Sequence, residues 1–371
     1  MKKVLISFLL VITVVLSSCR TSVGISYMVP SEIDMGTYRN IAIASTVPYY
    51  GFARPARYIR TVGSLARFGY ADILSTYDYG LKDEVADYAT ESIWSTLSAS
   101  GYFSILPPDV TDKILDAGSI GMSARKEFMR RGVDAVIIPR IESMSVDEYI
   151  YSQTVVETRE NSKGEEYEVD TTRFYYDADY YLSYSYTIVD VETERIVATR
   201  RFIVEDTDNF RISNHNFIFT YPERIFANMI DSTMSRITRQ LVPLRTSVEI
   251  TLMDNKPEVK AVNAAYDYAK DGDLSSAMGL FQKNYEATGH VPSGYNAALI
   301  TAARGDVDGA IEIASRVYND SGSEEVYQLL SRLASIKKSN EESIRQIEGS
   351  NEKERNLDDS YYSSIYDALR R

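Results

Sequence analysis

Residues 180–202, YYLSYSYTIVDVETERIVATRRF, carry the pattern that decides the fold. Five large apolar or aromatic side chains alternate with Ser and Thr in the first half of this stretch, namely Tyr180, Leu182, Tyr184, Tyr186 and Ile188. Period-two alternation is typical of a half-buried antiparallel strand, with the tyrosines packed across strands and their hydroxyls reaching water. The segment at residues 190–193 then predicts a turn, so that residues 172–190 and 195–204 form a hairpin.

The segments around this hairpin alternate between strand-like and helix-like patterns. Strands are predicted at residues 40–47, 102–106, 133–144 and 149–158. Helices are predicted at residues 82–98, 110–117 and 123–131, and a longer one follows Pro222. Residues 159–170 (RENSKGEEYEVD) are predicted to be a charged, solvated loop. This order predicts an α+β or α/β fold, a mixed sheet with flanking helices, over residues 37–250.

The C-terminal third contains a pattern that repeats at an offset of 33 residues. The matching pairs are Asn263-Ala264-Ala265 with Asn296-Ala297-Ala298, Gly272-Asp273 with Gly305-Asp306, and Ala277 with Ala310. This period, with small residues where helices cross, predicts stacked helical hairpins at residues 257–336, whose last helix spans residues 324–336. Two repeats are fewer than the three or so usually needed to stand alone, so we expect them to dock on the α/β domain or on a partner.

Residues 337–371 are predicted to form a charged tail with a short amphipathic helix. Its apolar anchors are Tyr361, Tyr362, Ile365, Tyr366 and Leu369. A docking peptide is the alternative interpretation of this tail.

The N-terminus has the pattern of a secretory signal. Lys2 and Lys3 precede an apolar run at residues 4–16, which is shorter than the roughly 20 residues that a membrane-spanning helix needs. The following Leu16-Ser17-Ser18-Cys19 resembles the lipobox of bacterial lipoprotein precursors. The resemblance implies that residues 1–18 are a lipoprotein signal peptide, that Cys19 carries lipid, and that residues 19–36 are a tether with a short strand near residues 26–29. The alternative is an ordinary secretory signal that ends near a cysteine by chance.

The phrases GVDAVIIPRI (residues 132–141) and YTIVDVETERIVATRRF (residues 186–202) resemble a family of envelope lipoproteins. This family includes the N-terminal-TolB-like and curli-secretion-subunit-like α/β domains, and the resemblance covers residues 37–245. In that family a Gly usually stands where Glu194 stands here. The C-terminal repeats look like tetratricopeptide repeats, although Thr301 and Ala314 replace large residues expected in the second copy.

Charge and cysteine usage exclude several classes of protein. The net charge is −13, and removing residues 1–18 with Lys2 and Lys3 brings it to −15. Such acidity argues against a nucleic-acid partner and against general adhesion to anionic lipid. Cys19 is the only cysteine, so the fold cannot depend on an intramolecular disulfide.

We find no motif for catalysis, metal binding or a cofactor. His215 and His290 lie in different predicted domains without metal-type spacing. The acidic pairs Glu165-Glu166 and Asp358-Asp359 lie in charged, loop-like stretches and are interpreted as solvated. Tyrosine is abundant, and eight tyrosines crowd one β region, namely Tyr149, Tyr151, Tyr175, Tyr176, Tyr180, Tyr181, Tyr184 and Tyr186. We favour packing for them over a protein or glycan contact surface.

Three functions remain open at this stage. The favoured one is a non-enzymatic lipoprotein, anchored to the membrane by its lipid, that acts as an interaction or assembly scaffold for an envelope protein. The second is an oligomeric secretion-pore subunit, although Gln153, Thr154 and Glu157 interrupt the apolar face of the strand at residues 149–158. The third is a hydrolase that uses carboxylates alone. By the lipoprotein resemblance, Arg20 in place of Asp favours the outer membrane, facing the periplasm.

Overall fold

The computed structural model describes residues 21–51, 54–59, 73–78, 80–115, 120–212 and 222–349. The chain divides into two compact units, which are Thr37–Val242 and Met1–Gly36 together with Pro243–Arg371. We name them the sheet unit and the helical unit. Among the described helices, none combines the length and the apolar character that crossing a membrane requires.

The strands, in chain order, are β1 (Ser22–Val29), β2 (Asn40–Ile43), β3 (Arg54–Ile59), β4 (Ile73–Asp78), β5 (Ser104–Leu106), β6 (Ala135–Glu160), β7 (Glu166–Asp190), β8 (Ile196–Ile212) and β9 (Leu244–Thr251). The α-helices are α1 (Leu81–Ala99), α2 (Pro108–Ile114), α3 (Met122–Arg130), α4 (Pro222–Leu241), α5 (Asn263–Lys270), α6 (Leu274–Thr288), α7 (Val291–Ala303), α8 (Val307–Ser321) and α9 (Glu324–Glu348).

The sheet unit contains a five-stranded mixed sheet in the order β5-β2-β6-β7-β8. Strand β2 is parallel to β5 and β6, whereas β6, β7 and β8 run antiparallel. Helices α2 and α3 cover one face at the β2 end, where Ala42, Val136 and Phe128 share an apolar cluster. Helices α1 and α4 pack together, and Tyr88 of α1 donates a 2.8 Å hydrogen bond to Asp231 of α4. The predicted mixed sheet with flanking helices is confirmed.

Strands β6 and β7 are much longer than predicted. The strand predicted at residues 149–158 is a continuation of β6, and most of the predicted loop at residues 159–170 is strand, leaving residues 161–165 between β6 and β7. Ion pairs between the strands explain why charged residues are accommodated there, since Arg173 lies 2.7 Å from Glu157. Residues 153–173, which no described residue of β8 pairs with, are called the arm.

The strand predicted near residues 26–29 of the tether is present but begins earlier, at Ser22, so residues 22–25 are strand instead of tether. Strand β1 pairs with β9 along its whole length, from Ser22 opposite Thr251 to Val29 opposite Leu244. Val23 and Ile25 are buried in one apolar cluster with the helices of the helical unit. Strand β9 therefore belongs to this unit, and the sheet unit ends before it instead of extending to residue 250.

Helices α5 to α9 form a helical array in which each helix packs against the next. The repeated Gly-Asp turns have the same geometry: Gly272 and Gly305 have φ of 84° and 94°, which favours glycine. Asp273 and Asp306 then cap α6 and α8 by accepting hydrogen bonds from backbone N–H groups. The last helix continues to Glu348, so the predicted charged tail is helical at residues 337–348. The apolar core of the array extends beyond the helices and includes buried residues of β1 and β9.

Candidate functional site

The helical array holds a non-helical segment of its own chain at Met253. The Asn296 side chain of α7 accepts a hydrogen bond from the Met253 N–H at 2.7 Å and donates one to the Met253 carbonyl at 3.0 Å. The Tyr266 hydroxyl of α5 donates to the same carbonyl at 2.6 Å. Asn296 is fully buried. Two side chains of the array thus satisfy both polar groups of the Met253 backbone.

The segment after Met253 is held in the same manner. Asn255 donates to the Asn263 side chain at 2.9 Å and accepts from the Val259 N–H at 3.0 Å. The His290 ring contacts the Pro257 carbonyl at 3.0 Å and the Ser293 hydroxyl at 2.8 Å. These contacts give residues 253–257 a defined path across the array.

Beside this segment lies an open cleft of about 580 Å³, within the usual size range for sites that bind small molecules. It lies between the end of β9 and the N-terminal ends of α7 and α9. Its lining residues are Thr251, Leu252, Met253, Asp254, Lys256, Val291, Pro292, Tyr295, Ser323 and Glu325. Apolar and polar side chains are mixed, so the cleft can bury apolar groups and also bind polar ones.

The ionisable groups of this region are suited to binding. Burial raises the pKa of Tyr266 to about 12, and burial also raises the pKa of Tyr295. Both phenols therefore stay protonated at neutral pH; the Tyr266 hydroxyl donates to the Met253 carbonyl, and the Tyr295 hydroxyl can donate to a bound molecule. The hydrogen bond from Ser323 lowers the pKa of Glu325, and Asp254 lies 3.5 Å from Lys256. A general acid needs a raised pKa, so Glu325 does not fit that role.

Only some of the candidate residues identified from the sequence lie in the part of the chain that the structure describes. Cys19, His215 and Asp358-Asp359 lie outside the described residues, as do the apolar anchors predicted for the tail. His290 is buried, and no group of His, Cys, Asp and Glu among the described residues could hold a metal ion. Glu165 and Glu166 are exposed beside the turn of the arm, as expected for solvated carboxylates.

The tyrosines of β7 pack as predicted, but their hydroxyls behave differently. Tyr180, Tyr184 and Tyr186 are buried. The Tyr186 hydroxyl donates to Gln240 of α4 at 2.7 Å, and that of Tyr184 hydrogen-bonds Thr233 of the same helix. These two hydroxyls thus hold a helix to the sheet instead of reaching water. Ser183 and Ser185 are buried too, and long side chains of the neighbouring strands contact them: Arg201 of β8 donates to Ser183 at 2.8 Å, and Ser185 donates to Glu142 of β6 at 2.6 Å.

The residues that form the cleft carry no motif that marks them in the sequence. Asn263 and Asn296 recur in the 33-residue repeat, but the predicted role, close helix packing, belongs only to the small residues that follow them. Both asparagines contact residues 253–255, so the repeated polar residue was the available signal. Nothing local in the sequence marked Tyr295 or Met253.

No protein-family model and no curated protein matches this chain. Among solved structures, the PelC dodecamer from Paraburkholderia phytofirmans is similar at 9% identity and a TM-score of 0.24, over 59% of this chain and 97% of that one. That structure carries a single substitution; a second crystal form of the PelC dodecamer gives the same identity and TM-score, with 96% of its chain covered. A TM-score this low does not indicate a shared fold.

Proposed function

We propose that this chain is a lipid-anchored envelope protein that binds an extended segment of another envelope protein in the cleft of its helical array. The observation that carries the proposal is the capture of the Met253 backbone by Asn296 and Tyr266 next to an open cleft. The array that holds the Met253 backbone has space beside it for a segment of another chain.

The array is proposed to be of the tetratricopeptide type. Helices α6 and α8 begin at Leu274 and Val307, which reproduces the 33-residue offset, and each is capped by an equivalent Asp. Stacked helical hairpins of this kind create extended concave surfaces for binding partners. The N-terminal sheet unit, by its sequence phrases, is proposed to be related to the TolB-like and curli-secretion-like domains.

The cleft can be tested by photocrosslinking in intact cells. We expect a photoreactive phenylalanine analogue at Tyr295 to form a discrete adduct with another envelope protein. The matched control is the same analogue at Tyr268, an exposed tyrosine of α5 that does not line the cleft. Adducts at neither position, or equally at both, would contradict the proposal.

Once the partner is known, Tyr295→Ala is expected to weaken its binding about tenfold or more, since buried aromatic anchors dominate interface energies. Tyr268→Ala should leave the affinity unchanged. Titration of the purified full chain with the partner segment measures both.

The proposed lipid anchor on Cys19 is tested separately from the cleft. Cys19→Ser is expected to abolish incorporation of labelled fatty acid and to leave the signal peptide uncleaved, because the proposed modification requires the thiol. Normal processing and unchanged fractionation of this variant would refute the lipid anchor without affecting the cleft.

A further inference from the structure

Strand β8 presents a long edge of the five-stranded sheet. It spans Ile196–Ile212 and pairs with β7 on one side, and no described strand pairs with its other side. An edge strand of this length offers a row of backbone donors and acceptors to another strand.

The charges along this edge change sign about a central residue. Residues 200–206 read RRFIVED, with two cations, three apolar residues and two anions. Ile203 stands at the centre of this sequence and is 55% exposed. An antiparallel copy of the same strand would place each charge opposite one of the other sign.

We propose that β8 is the interface through which two copies of this chain pair, antiparallel and about a two-fold axis at Ile203. Such an interface is isologous, so each pair across it occurs twice. Arg201 faces Glu205 of the partner subunit, and Arg200 faces Asp206 of the partner subunit. The two five-stranded sheets then become one continuous ten-stranded sheet.

The rest of the strand agrees with this register. Thr199 faces the partner's Thr207, and Ile196, an exposed apolar residue, faces the partner's Phe210. Cross-strand pairs of β-branched, aromatic and oppositely charged residues are those that stabilise antiparallel sheets. The paired stretch of each copy is residues 196–210.

Neighbouring registers pair the charges less well. An axis at Phe202 would put Arg201 opposite Ile203 and Arg200 opposite Val204, so that no charge of residues 200–206 would face a charge of the other sign. An axis at Val204 would retain an Arg200–Asp208 pair but would place Ile203 opposite Glu205. The charge pattern therefore selects the axis at Ile203.

Charged residues on an edge strand can also serve to prevent pairing. That alternative predicts a monomer in which reversing any one of these charges has no effect on assembly. It is an outcome of the experiments that follow.

The first experiment tests the axis by disulfide crosslinking of the full chain in detergent. Directly opposite residues of antiparallel strands lie about 4.5–5.5 Å apart between Cα atoms, within reach of a disulfide. Ile203→Cys is expected to give a crosslinked dimer on mild oxidation. Thr207→Cys should not, because the two Thr207 positions would lie about 27 Å apart.

A mixture of Thr199→Cys and Thr207→Cys chains should crosslink to each other. The unaltered chain, which contains only Cys19, is the background control. Crosslinking of Thr207→Cys to itself, or none for Ile203→Cys, would overturn the proposed interface.

The second experiment exchanges the charges and measures the dimer dissociation constant of the full chain in detergent. Arg201→Glu and Glu205→Arg, each alone, are expected to raise it at least about tenfold, since each creates two like-charge pairs. The double variant R201E/E205R should return it to within about threefold of the parent.

The double variant separates pairing from loss of fold, because Arg201→Glu also removes a 2.8 Å hydrogen bond to Ser183. Arg211→Glu is the matched control, an exposed cation of the same strand that would face the partner's Arg195. It should not weaken the dimer. A monomer in every form, or failure of the double variant to recover while it remains folded, would overturn the proposal.

Discussion

Two antiparallel ribbons of this protein are held together by different means. Strands β6 and β7 follow one another along the chain, with only residues 161–165 between them, and their far ends form the exposed arm. Strands β1 and β9 pair residues as distant as Ser22 and Thr251, which are 229 positions apart. Their pairing depends on burial against the helices, where Ile25 is fully buried.

The difference shows where each ribbon obtains its stability. Closing a short turn costs little conformational entropy, so β6 and β7 can pair by their own cross-strand contacts. Bringing β1 to β9 costs more, and the burial of apolar side chains on α5 to α9 has to offset that cost. Truncating an apolar side chain should therefore destabilise the ribbon of β1 and β9 strongly and the arm weakly.

Ile25→Ala is expected to have the largest effect. It should destabilise the helical unit by about 3 kcal/mol, because a buried aliphatic side chain is replaced by a cavity. Denaturant unfolding of the full chain, with a probe in the helical unit, measures this. Ser26→Ala, at the exposed neighbour on the same strand, and Val156→Ala in the arm should each change stability by less than about 0.5 kcal/mol. Equal losses for Ile25→Ala and Val156→Ala would remove the contrast between the ribbons.

Asn296→Ala is expected to cost about 2 kcal/mol, because the polar groups of Met253 lose partners in a partly buried place. The loss should appear in the same unfolding transition as that of Ile25→Ala. Gln282→Ala is the control, since this half-buried side chain of α6 hydrogen-bonds only Glu286 of its own helix, at 3.0 Å, among the bonds that the described residues show. A neutral Asn296→Ala would mean that the path of residues 253–257 does not depend on this clamp.

Tyr186→Phe tests the sheet unit, in which tyrosine hydroxyls of β7 hydrogen-bond helix α4. It should cost about 1 kcal/mol by leaving Gln240 without this donor. A probe in the sheet unit should report the loss, while the transition of the helical unit stays unchanged. A loss in the helical unit instead would show that the two transitions are not separate.

Alkaline pH should weaken the sheet unit through Tyr184. Burial raises its pKa to about 12 from an ordinary value of 10.0. The folded state therefore keeps the proton where the unfolded state loses it. Its contribution to stability is complete below pH 10 and is lost as the pH rises towards 12. Tyr184→Phe should make stability fall less steeply between pH 10 and 12, and an unchanged slope would contradict this assignment.

Glu194→Gly is expected to have the smallest effect, and in the stabilising direction. Glu194 has a φ of 59°, in the left-handed region that glycine adopts at little cost. The gain should be about 0.5–1 kcal/mol, reduced by loss of the exposed pair with Arg125 at 3.5 Å. Glu192→Gly, two residues earlier in the same turn and also exposed, should not stabilise. Thermal unfolding distinguishes the two.

Most elements of the sheet unit could be predicted because their signals are local. The alternation at residues 180–188, the helix predicted at residues 82–98 and the turn before Glu194 all have counterparts in the structure. The sequence also indicated the Gly-Asp turns of the array, since Gly272 and Gly305 recur at the repeat offset.

Only the tertiary structure shows how strands and side chains that are far apart in the sequence are paired. The alternation of Val23, Ile25 and Tyr27 is compatible with a strand, but nothing near it in sequence identifies β9 as its partner. The candidate cleft has the same origin, because Met253, Tyr295 and Glu325 come from three separate segments. A local pattern determines the conformation that a segment prefers. Which other segment it pairs with depends on tertiary structure, because the free energy gained by burying apolar surface has to offset the entropy lost when distant segments are brought together.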